Sequence, residues 1–417
     1  LSMKKNIYYQ NFIKNKFYLI IFLISYLSLF ISFYFDEDGT GKGASGDFEA
    51  TYGFILALKD NILANPKDFT LVHTPLHFIL MSFFDEIFND KTSLRLFYCS
   101  LTIILPIFFY FSLKRVEEKS KKNFLLLSSI IFILPAFRYT SIWATDLITS
   151  LIFFQISIFF YLKWDQEKSI NVNKEVFFQI IFLALATYCR QYFAVFFIYF
   201  LIIYFNNLKL KSFINLFLIC VCTSIPVLYY TYLFPALILE QHISLNSIKY
   251  FLLGNSSMMS IYLLPIFLIN LIYKKISFNK DMLISIIISI LIVSFLIYLF
   301  EPVQNWLGGG VIYKLSNELF SSNYLFYISS FFTFFIFINL SFENKKNFIL
   351  ALILLFVFFS FQAYQRYYEP MLYLIIFSLM KTGLNNIFFE KSSACIILFL
   401  YYLIYYFGSV SDLVYKL

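Results

Sequence analysis

Residues 16–35 read KFYLIIFLISYLSLFISFYF, an apolar run whose only charge is Lys16 at its first position. About 20 apolar residues in a helix span the hydrocarbon core of a bilayer, so this run predicts a transmembrane helix. It follows a basic segment and lacks a small-residue cleavage site, which favours a retained signal anchor. Further apolar stretches follow at residues 94–113, 122–138, 143–162, 175–189, 191–206, 212–233, 257–273, 282–300, 321–341, 347–363, 370–380 and 393–408.

The composition excludes a soluble globular protein. Of the 417 residues, 60% are hydrophobic and 13% are charged, whereas about a quarter of a soluble domain is charged. So few charges cannot cover the surface of a water-soluble chain of this size. The sequence therefore predicts an all-α polytopic membrane protein with about 13 transmembrane helices. We place a break at Arg190-Gln191, since a charge suits a membrane boundary better than its midplane.

Basic residues are distributed unevenly between alternate loops. If the N-terminus lies in the cytoplasm, the loops on that side hold 21 of the 32 Lys and Arg residues. The positive-inside rule describes this excess. We therefore expect a multi-pass protein of the bacterial cytoplasmic membrane, with its N-terminus in the cytoplasm. The net charge of +8 then implies no nucleic-acid partner.

The first exterior loop, residues 36–93, is the longest loop of the chain. The spacing of its apolar residues predicts two interfacial helices, over residues 47–61 and 74–88. Asp47 stands where an N-cap is expected, and Pro75 falls in the first turn of the second helix. The Gly-rich stretch before Asp47 is expected to be flexible.

Charged side chains gather at the predicted exterior ends of the spans. Arg138, Arg190 and Arg366 each adjoin apolar sequence, where burial would require anionic partners. Arginine binds phosphate in bidentate geometry, so these residues suit a lipid-borne phosphate. A carboxylate of the first exterior loop is suited to take a proton from an attacking hydroxyl. Together these features favour an exterior site at the membrane surface.

The order of motifs along the chain resembles that of the GT-C glycosyltransferases, multi-span enzymes that use polyprenyl-phosphate-linked sugars. The motifs are D-x-E-x-x-Y-x-x-x-x-A-L from Asp47, H-T-P-L-H-F-I-L from His73 and R-L-F from Arg95. They are similar to the first exterior loop of protein mannosyltransferases and aminoarabinose transferases. The R-Q pair at Arg190 and the R-Y-Y-E-P stretch at Arg366 resemble the glucosyltransferases that complete the dolichol-linked oligosaccharide.

The resemblance implies roles for particular residues. An acid of the first exterior loop would be catalytic, with Asp47 as the first choice and Asp36 and Glu37 as rivals. The implied substrate-binding residues are Asp38, Glu49, Tyr52, His73, Arg138, Asp146, Arg190, Gln191, Arg366, Tyr367 and Glu369. The chain would form one transmembrane domain, with family-like helices in residues 94–210 and more variable helices in residues 211–417.

The implied function is an inverting glycosyltransferase on the exterior face of the membrane. A loop carboxylate would act as general base, and a hexosyl or pentosyl group would pass from a polyprenyl-phosphate donor to a glycan or lipid-linked acceptor. Membrane lipids are the other expected partners. Two alternatives stay open: an O-antigen or exopolysaccharide polymerase, and a transporter or flippase of lipid-linked glycans. The absence of an internal sequence repeat disfavours the transporter.

No cofactor is assigned from the sequence. A divalent metal, Mg or Mn, is the open alternative, held through the carboxylate oxygens of Asp36, Asp38 and Asp47. His73 and His77 lie four residues apart, but a zinc site needs at least one further ligand. The five Cys stand in apolar runs without a metal-binding spacing and are interpreted as small buried hydrophobic residues.

Overall fold

The computed structural model is helical, and no strand occurs in the part of the chain that it describes. Its residues divide into two compact units, Leu1–Glu240 with Tyr402–Val410 and Gln241–Tyr401 with Ser411–Leu417. The predicted all-α class is therefore confirmed for the described residues. These are residues 2–38, 43–60, 73–117, 123–233, 245–273, 279–301, 309–358 and 364–410.

The first unit begins with a long apolar helix and includes residues 36–93, the segment predicted to form the first exterior loop. Its helices are α1 (Ser2–Tyr34), α2 (Gly43–Asp60), α3 (Leu76–Phe88), α4 (Lys91–Leu101), α5 (Ile104–Val116), α6 (Phe124–Ile133), α7 (Pro135–Ile142), α8 (Asp146–Glu167), α9 (Lys174–Cys189), α10 (Val195–Asn207) and α11 (Leu210–Leu233).

Local sequence explains where several of these helices begin. The Asp90 side chain accepts a hydrogen bond from the Ser93 amide at 2.8 Å, so α4 starts with a side-chain cap. Asn173 caps α9 in the same way, by accepting from the Val176 amide at 3.1 Å. Pro135 separates α6 from α7, which differ in direction by 63°, because proline has no amide hydrogen with which to continue a helix.

The core of the first unit forms where α8 packs between α5 and α9, while α1 packs against α6. Polar side chains bridge these helices inside apolar surroundings. The Gln155 amide nitrogen donates to Ser112 Oγ at 2.8 Å, and that of Gln179 donates to Ser157 Oγ at 3.1 Å. Polar groups away from water need protein partners, so these bonds fix which helices are neighbours.

The second unit is built around one long helix, α12 (Leu245–Tyr273), which packs against α15 (Tyr324–Glu343). Asn255 of this helix donates to the Leu355 carbonyl at 3.2 Å, and Ser257 shares a 2.8 Å hydrogen bond with Ser329. The other helices are α13 (Lys280–Leu299), α14 (Gly310–Phe320), α15 (Tyr324–Glu343), α16 (Lys345–Phe356), α17 (Met371–Ser378), α18 (Leu384–Glu390) and α19 (Ser392–Val410), whose last residues belong to the first unit.

Within the described residues, eight helical segments are long and apolar enough to cross a membrane, or nine if the bent pair α6–α7 counts as one crossing. These helices are compatible with an integral membrane protein. Each predicted apolar stretch overlaps a helix. The expected number of about 13 spans is not confirmed, because the helices at the other four predicted apolar stretches are short. They have 16 residues in α9, 13 in α10, 12 in α16 and 8 in α17.

Helix α11 presents a broad apolar surface outward. Ile225, Leu228 and Tyr229 are each more than half exposed. An apolar face of this extent is unfavourable in water, because exposed hydrocarbon carries a free-energy cost that lipid contact removes. The exposed face therefore agrees with lipid surroundings.

Candidate functional site

Asp36, Glu37 and Asp38 follow directly on α1, where the chain turns sharply. Asp36 has a φ of +48°, a left-handed conformation that aspartate adopts more readily than most residues. The Glu37 amide donates to the Ser32 carbonyl at 2.9 Å and closes the end of the helix. The turn directs the three carboxylates to three different partners.

Glu37 is buried against Arg138 of α7. Arg138 Nε donates to Glu37 Oε1 at 3.2 Å and Nη2 donates to Oε2 at 3.3 Å. Arg138 also donates to the hydroxyls of Ser28 and Ser32 and to backbone carbonyls. The Tyr406 hydroxyl of α19 donates to Glu37 Oε2 at 2.8 Å. Since the two side chains of the ion pair are 2% and 9% exposed, they hold α1, α7 and α19 together.

Asp36 pairs with Arg95 of α4, a residue to which the sequence assigned no role. Arg95 Nη2 donates to Asp36 Oδ1 at 2.8 Å, and Nε donates to the Ile142 carbonyl at 3.1 Å. The guanidinium carbon lies 3.6 Å from the centroid of the Trp143 ring. The Asp36 side chain is 64% exposed and that of Arg95 is 10% exposed. One carboxylate oxygen is thus held by the protein, while Oδ2 has no hydrogen-bond partner among the described residues.

Asp38 contributes to the start of α2, and the expected capping role of Asp47 is wrong. The helix begins at Gly43, and Asp38 Oδ2 accepts from the Ser45 amide at 2.9 Å. Because an amide of the first turn finds this acceptor upstream, the helix can start before Asp47. Asp47 is instead exposed one turn inside α2. Part of the Gly-rich stretch expected to be flexible is therefore helical, and residues 39–42 lie outside the described residues.

Tyr52 and Glu49 lie on α2 and make contacts within the first exterior loop. The Tyr52 hydroxyl donates to Asp85 Oδ1 at 2.9 Å, and Lys59 Nζ donates to Asp85 Oδ2 at 3.1 Å. Burial and the hydrogen bond to Asp85 raise the pKa of Tyr52 to about 12. Glu49 pairs with Lys91 at 2.5 Å, and both side chains are exposed. The first set of bonds fixes α2 against α3, which begins at Leu76, close to the predicted start.

Asp146 and Arg190 form a buried ion pair in which two hydrogen bonds run in parallel. Arg190 Nε donates to Asp146 Oδ2 at 2.9 Å and Nη2 donates to Oδ1 at 2.6 Å. Their side chains are 4% and 7% exposed, in the order Arg190 and Asp146. Helix α9 ends at Cys189, so the predicted break is confirmed, and Gln191 opens a short 3-10 helix, where it is half-buried. The break allows Arg190 to leave the helix direction and reach the start of α8.

His77 of α3 is buried and bonds at both ring nitrogens. Nε2 lies 3.0 Å from the Ala144 carbonyl, and Nδ1 lies 2.8 Å from Thr149 Oγ1. A carbonyl only accepts, so the proton is assigned to Nε2 and Nδ1 accepts from Thr149. Burial lowers the pKa of His77 to about 4. The Tyr98 hydroxyl donates to the Thr145 carbonyl at 2.7 Å, so α3 and α4 together fix the turn that precedes α8.

The residues considered for a metal do not come together in the structure. In the part of the chain that the structure describes, no group of three or more His, Cys, Asp or Glu is placed to hold a metal ion. Asp36 and Asp38 turn to different partners, and Asp47 is exposed on α2. His73, the predicted substrate contact, is half-buried just before α3.

Arg366, Tyr367 and Glu369 belong to the second unit. Arg366 and Tyr367 lie half-buried in a 3-10 turn, with the guanidinium carbon 5.8 Å from the Tyr367 ring centroid. Glu369 is 1% exposed, and its Oε2 accepts from the Tyr262 hydroxyl at 2.5 Å. The predicted site residues therefore form one group in the first unit and another in the second.

Arg95 and Trp143 belong to the first group, although neither was predicted as a site residue from the sequence. A signal for Arg95 was present, since it is the only charge in the apolar stretch 94–113. A single arginine in such a stretch demands an anionic partner. Trp143 gave no signal, because an aromatic residue near a helix end is equally suited to ordinary packing.

In the first unit, the candidate site centres on a solvent-facing carboxylate, Asp36, with buried ion pairs at Glu37–Arg138 and Asp146–Arg190. The two buried pairs hold the surrounding helices, while the exposed Asp36 carboxylate is accessible to another molecule. Comparison of the chain with known protein families, with curated proteins and with solved structures gives no match.

Proposed function

We propose that this chain is a membrane glycosyltransferase that transfers a hexosyl or pentosyl group from a polyprenyl-phosphate-linked donor, with inversion at the sugar. The acceptor is a hydroxyl of a glycan or of a lipid-linked glycan. The order of motifs, which resembles that of GT-C enzymes, supports this proposal. The observation that carries it is the exposed Asp36 carboxylate, held by buried Arg95 at the end of a helix that is apolar enough to cross a membrane.

Asp36 is the proposed general base. A base needs an oxygen within reach of the reacting hydroxyl, and Asp36 combines an exposed side chain with a single protein partner among the described residues. The carboxylates of Glu37 and Asp38 are engaged by an arginine and by a helix amide. Asp47, the first choice from the sequence, is exposed on α2 and is the competing candidate.

In the proposed reaction, the Asp36 carboxylate takes the proton of the acceptor hydroxyl. The hydroxyl oxygen attacks the anomeric carbon, and the bond from that carbon to the lipid phosphate breaks. The phosphate oxygen leaves with the bonding electron pair, and a single displacement inverts the configuration. General-base assistance of this kind contributes about 10² to 10⁴ in rate.

The three predicted phosphate-binding arginines differ in how much of their hydrogen bonding the protein uses. Every nitrogen of Arg138 donates to a protein acceptor, so we assign Arg138 a supporting role. Arg190 gives Nε and Nη2 to Asp146. Arg366 is half-buried in the second unit. Arg190 and Arg366 are the candidates for stabilising the leaving phosphate, each to be tested by its own substitution.

The proposed arrangement has the N-terminus in the cytoplasm of a bacterium and the first exterior loop, with α2 and α3 at the membrane surface, on the opposite side. Thirteen crossings would include the short helices α9, α10, α16 and α17, which overlap predicted apolar stretches. The 21 of 32 basic residues in the predicted cytoplasmic loops support this orientation. A lipid-linked donor suits such a site, because it reaches the exterior face within the membrane.

The test is a donor screen with the purified protein in detergent. Polyprenyl-phosphate-linked hexoses and pentoses, or nucleotide sugars in parallel reactions, are supplied with a glycolipid acceptor extract. The leaving group is measured in each case, as polyprenyl phosphate from the lipid-linked donors and as free nucleotide from the nucleotide sugars. We expect release from at least one lipid-linked donor and none from nucleotide sugars. Asp36→Asn should abolish most of the release, while Glu86→Gln, a substitution of an exposed acid of the same predicted loop, should retain it. Release from nucleotide sugars alone, or from no donor, contradicts the proposed function.

A further inference from the structure

Arg95 is a buried cation at the start of an apolar segment. It lies in α4, within the candidate span Lys91–Val116, and its side chain is 10% exposed. Removing a guanidinium from water is unfavourable unless its donors are satisfied and an anion is near. Here Nε bonds to the Ile142 carbonyl at 3.1 Å and Nη2 bonds to Asp36 Oδ1 at 2.8 Å. Arg95 therefore links the start of one candidate span to the acid that follows α1.

Aromatic rings restrict the orientation of this guanidinium. Its central carbon lies 3.6 Å from the Trp143 ring centroid and 5.0 Å from that of Phe33. Arginine stacks on aromatic faces through its planar, delocalised group. Trp143 is itself fixed, because its indole nitrogen donates to the Glu37 carbonyl at 3.1 Å. The donor that reaches Asp36 thus has a defined direction.

The pair Arg95–Asp36 differs from the other arginine–carboxylate pairs described in the first unit. The arginine and acid side chains of Arg138–Glu37 are 2% and 9% exposed, and those of Arg190–Asp146 are 4% and 7% exposed. In Arg95–Asp36 the arginine is 10% exposed while the acid is 64% exposed. In the first two pairs both side chains are buried, whereas in Arg95–Asp36 a buried arginine binds an exposed carboxylate.

We propose that Arg95 is a positioning residue for the reaction. It fixes Asp36 Oδ1, so that Oδ2 is the oxygen that receives the proton of the acceptor hydroxyl. This inference rests on the proposed function, in which Asp36 is the general base. Lysine cannot replace Arg95, because a single ammonium group cannot stack flat on Trp143 and also present two fixed donors to the Ile142 carbonyl and to Asp36.

The test is a double-mutant cycle of Arg95→Lys and Asp36→Asn, with kcat and KM measured on the lipid-linked donor that the wild-type protein consumes. Misplacing a reacting group by about 1 Å can cost about 10²-fold in rate, so we expect Arg95→Lys to lower kcat by about tenfold to 10²-fold. KM should change little. In the Asp36→Asn background the same substitution should have little effect on kcat, because no base is left to position.

Arg115→Lys is the matched control. Arg115 lies at the other end of the same candidate span and donates to Gln166 at 3.0 Å in an exposed contact. Its substitution should leave kcat unchanged. A loss of the same factor for Arg95→Lys in both backgrounds, or no loss in either, overturns the positioning role while leaving Asp36 as the base. Wild-type turnover of Asp36→Asn overturns this inference together with the assignment of Asp36 as the base. The proposed function itself fails only if the wild-type protein releases polyprenyl phosphate from no lipid-linked donor, so the failures are distinguishable.

Trp143→Phe provides a second variant if Arg95→Lys does not fold. It keeps an aromatic ring beneath the guanidinium but reduces the stacking surface. We expect a smaller loss of kcat than for Arg95→Lys, and we expect this loss to disappear in the Asp36→Asn background. An equal loss in both backgrounds would show that Trp143 acts on the fold and not through Asp36, which overturns the inference.

Discussion

Two regions of the first unit each contain an arginine–carboxylate ion pair, but the carboxylate is exposed in one region and buried in the other. At the end of α1, Arg95 holds Asp36 by one hydrogen bond, and the acid remains mostly exposed. At the start of α8, Arg190 holds Asp146 by two parallel bonds, and both side chains are buried. The first carboxylate keeps an oxygen for another molecule, whereas both oxygens of the second accept from one arginine.

We interpret this difference as a division between two roles, in which Asp36 takes part in the reaction and the Asp146–Arg190 pair supports the fold. A buried ion pair contributes less net stability than its short distances imply, because desolvation offsets much of the attraction. Breaking such a pair is costly, since one charge then stays buried without a counter-charge. The exposed Asp36 is only half of a buried pair, and Asn at this position keeps an oxygen that can accept from Arg95, so its replacement should cost less stability than opening a fully buried pair. A substitution at Asp146 should therefore reduce mainly the stability of the protein, and a substitution at Asp36 should reduce mainly its turnover.

The largest expected effect on stability comes from opening the buried pair. Asp146→Ala leaves the Arg190 guanidinium buried without its carboxylate, so the free energy of unfolding should fall by about 3–5 kcal/mol. The measurement is an unfolding titration with SDS in mixed micelles. The double variant Asp146→Leu with Arg190→Met should recover most of this loss, because no unpaired charge then remains.

Glu49→Ala is the control for this experiment, because Glu49 forms an exposed ion pair with Lys91. Its effect should stay within about 0.5 kcal/mol, as is usual for surface pairs. If Asp146→Ala unfolds at the same SDS concentration as Glu49→Ala, the Asp146–Arg190 pair is not a support of the fold, and the division between the two regions fails.

The next effect concerns His77, which holds the turn preceding Asp146. Burial lowers the pKa of His77 to about 4 from 6.5, despite the nearby negative charge of Asp146, while the positive charge of Arg190 acts in the same direction as burial. Between these pH values the unfolded chain binds a proton that the folded chain does not. The free energy of unfolding should therefore fall as the pH is lowered from 6.5 to 4, by up to about 3 kcal/mol.

His77→Gln tests this effect, because glutamine keeps a donor and an acceptor but does not titrate. The difference in unfolding free energy between the wild-type protein and the variant should be constant above about pH 7.5, one unit above the ordinary histidine pKa. It should shrink as the pH falls to 4. A difference that does not depend on pH would mean that His77 is not a buried neutral side chain.

Much of the fold was predictable because lipid imposes a simple rule on sequence. Backbone groups in hydrocarbon must bond within their own helix, so long apolar runs become helices. The thirteen predicted stretches all overlap helices. The number of crossings did not follow, because length and hydropathy do not separate a short span from a helix buried inside the protein. The predicted start of α2 was wrong because the Ser45 amide in its first turn donates to Asp38, an acceptor seven residues earlier in the chain.

The candidate site was less predictable, because its partners are distant in sequence. The Arg190 break and the acids after α1 could be recognised from local patterns. The pairing of Glu37 with Arg138, and of Asp36 with Arg95, depends on which helices are neighbours. When the neighbouring helices are unknown, several acids are equal candidates for the general base. The Glu37 side chain is 9% exposed, which distinguishes it from the exposed acids Asp36 and Asp47.

The most direct test of the account compares turnover of Asp36→Asn and Asp47→Asn on a lipid-linked sugar donor. Each turnover is expressed per folded molecule, with the unfolding free energy measured beside it. We predict that Asp36→Asn loses about 10² to 10⁴ in rate with a smaller loss of stability than Asp146→Ala, while Asp47→Asn keeps close to the wild-type rate. Wild-type turnover in Asp36→Asn, with the loss in Asp47→Asn instead, would contradict the assignment of Asp36 as the base.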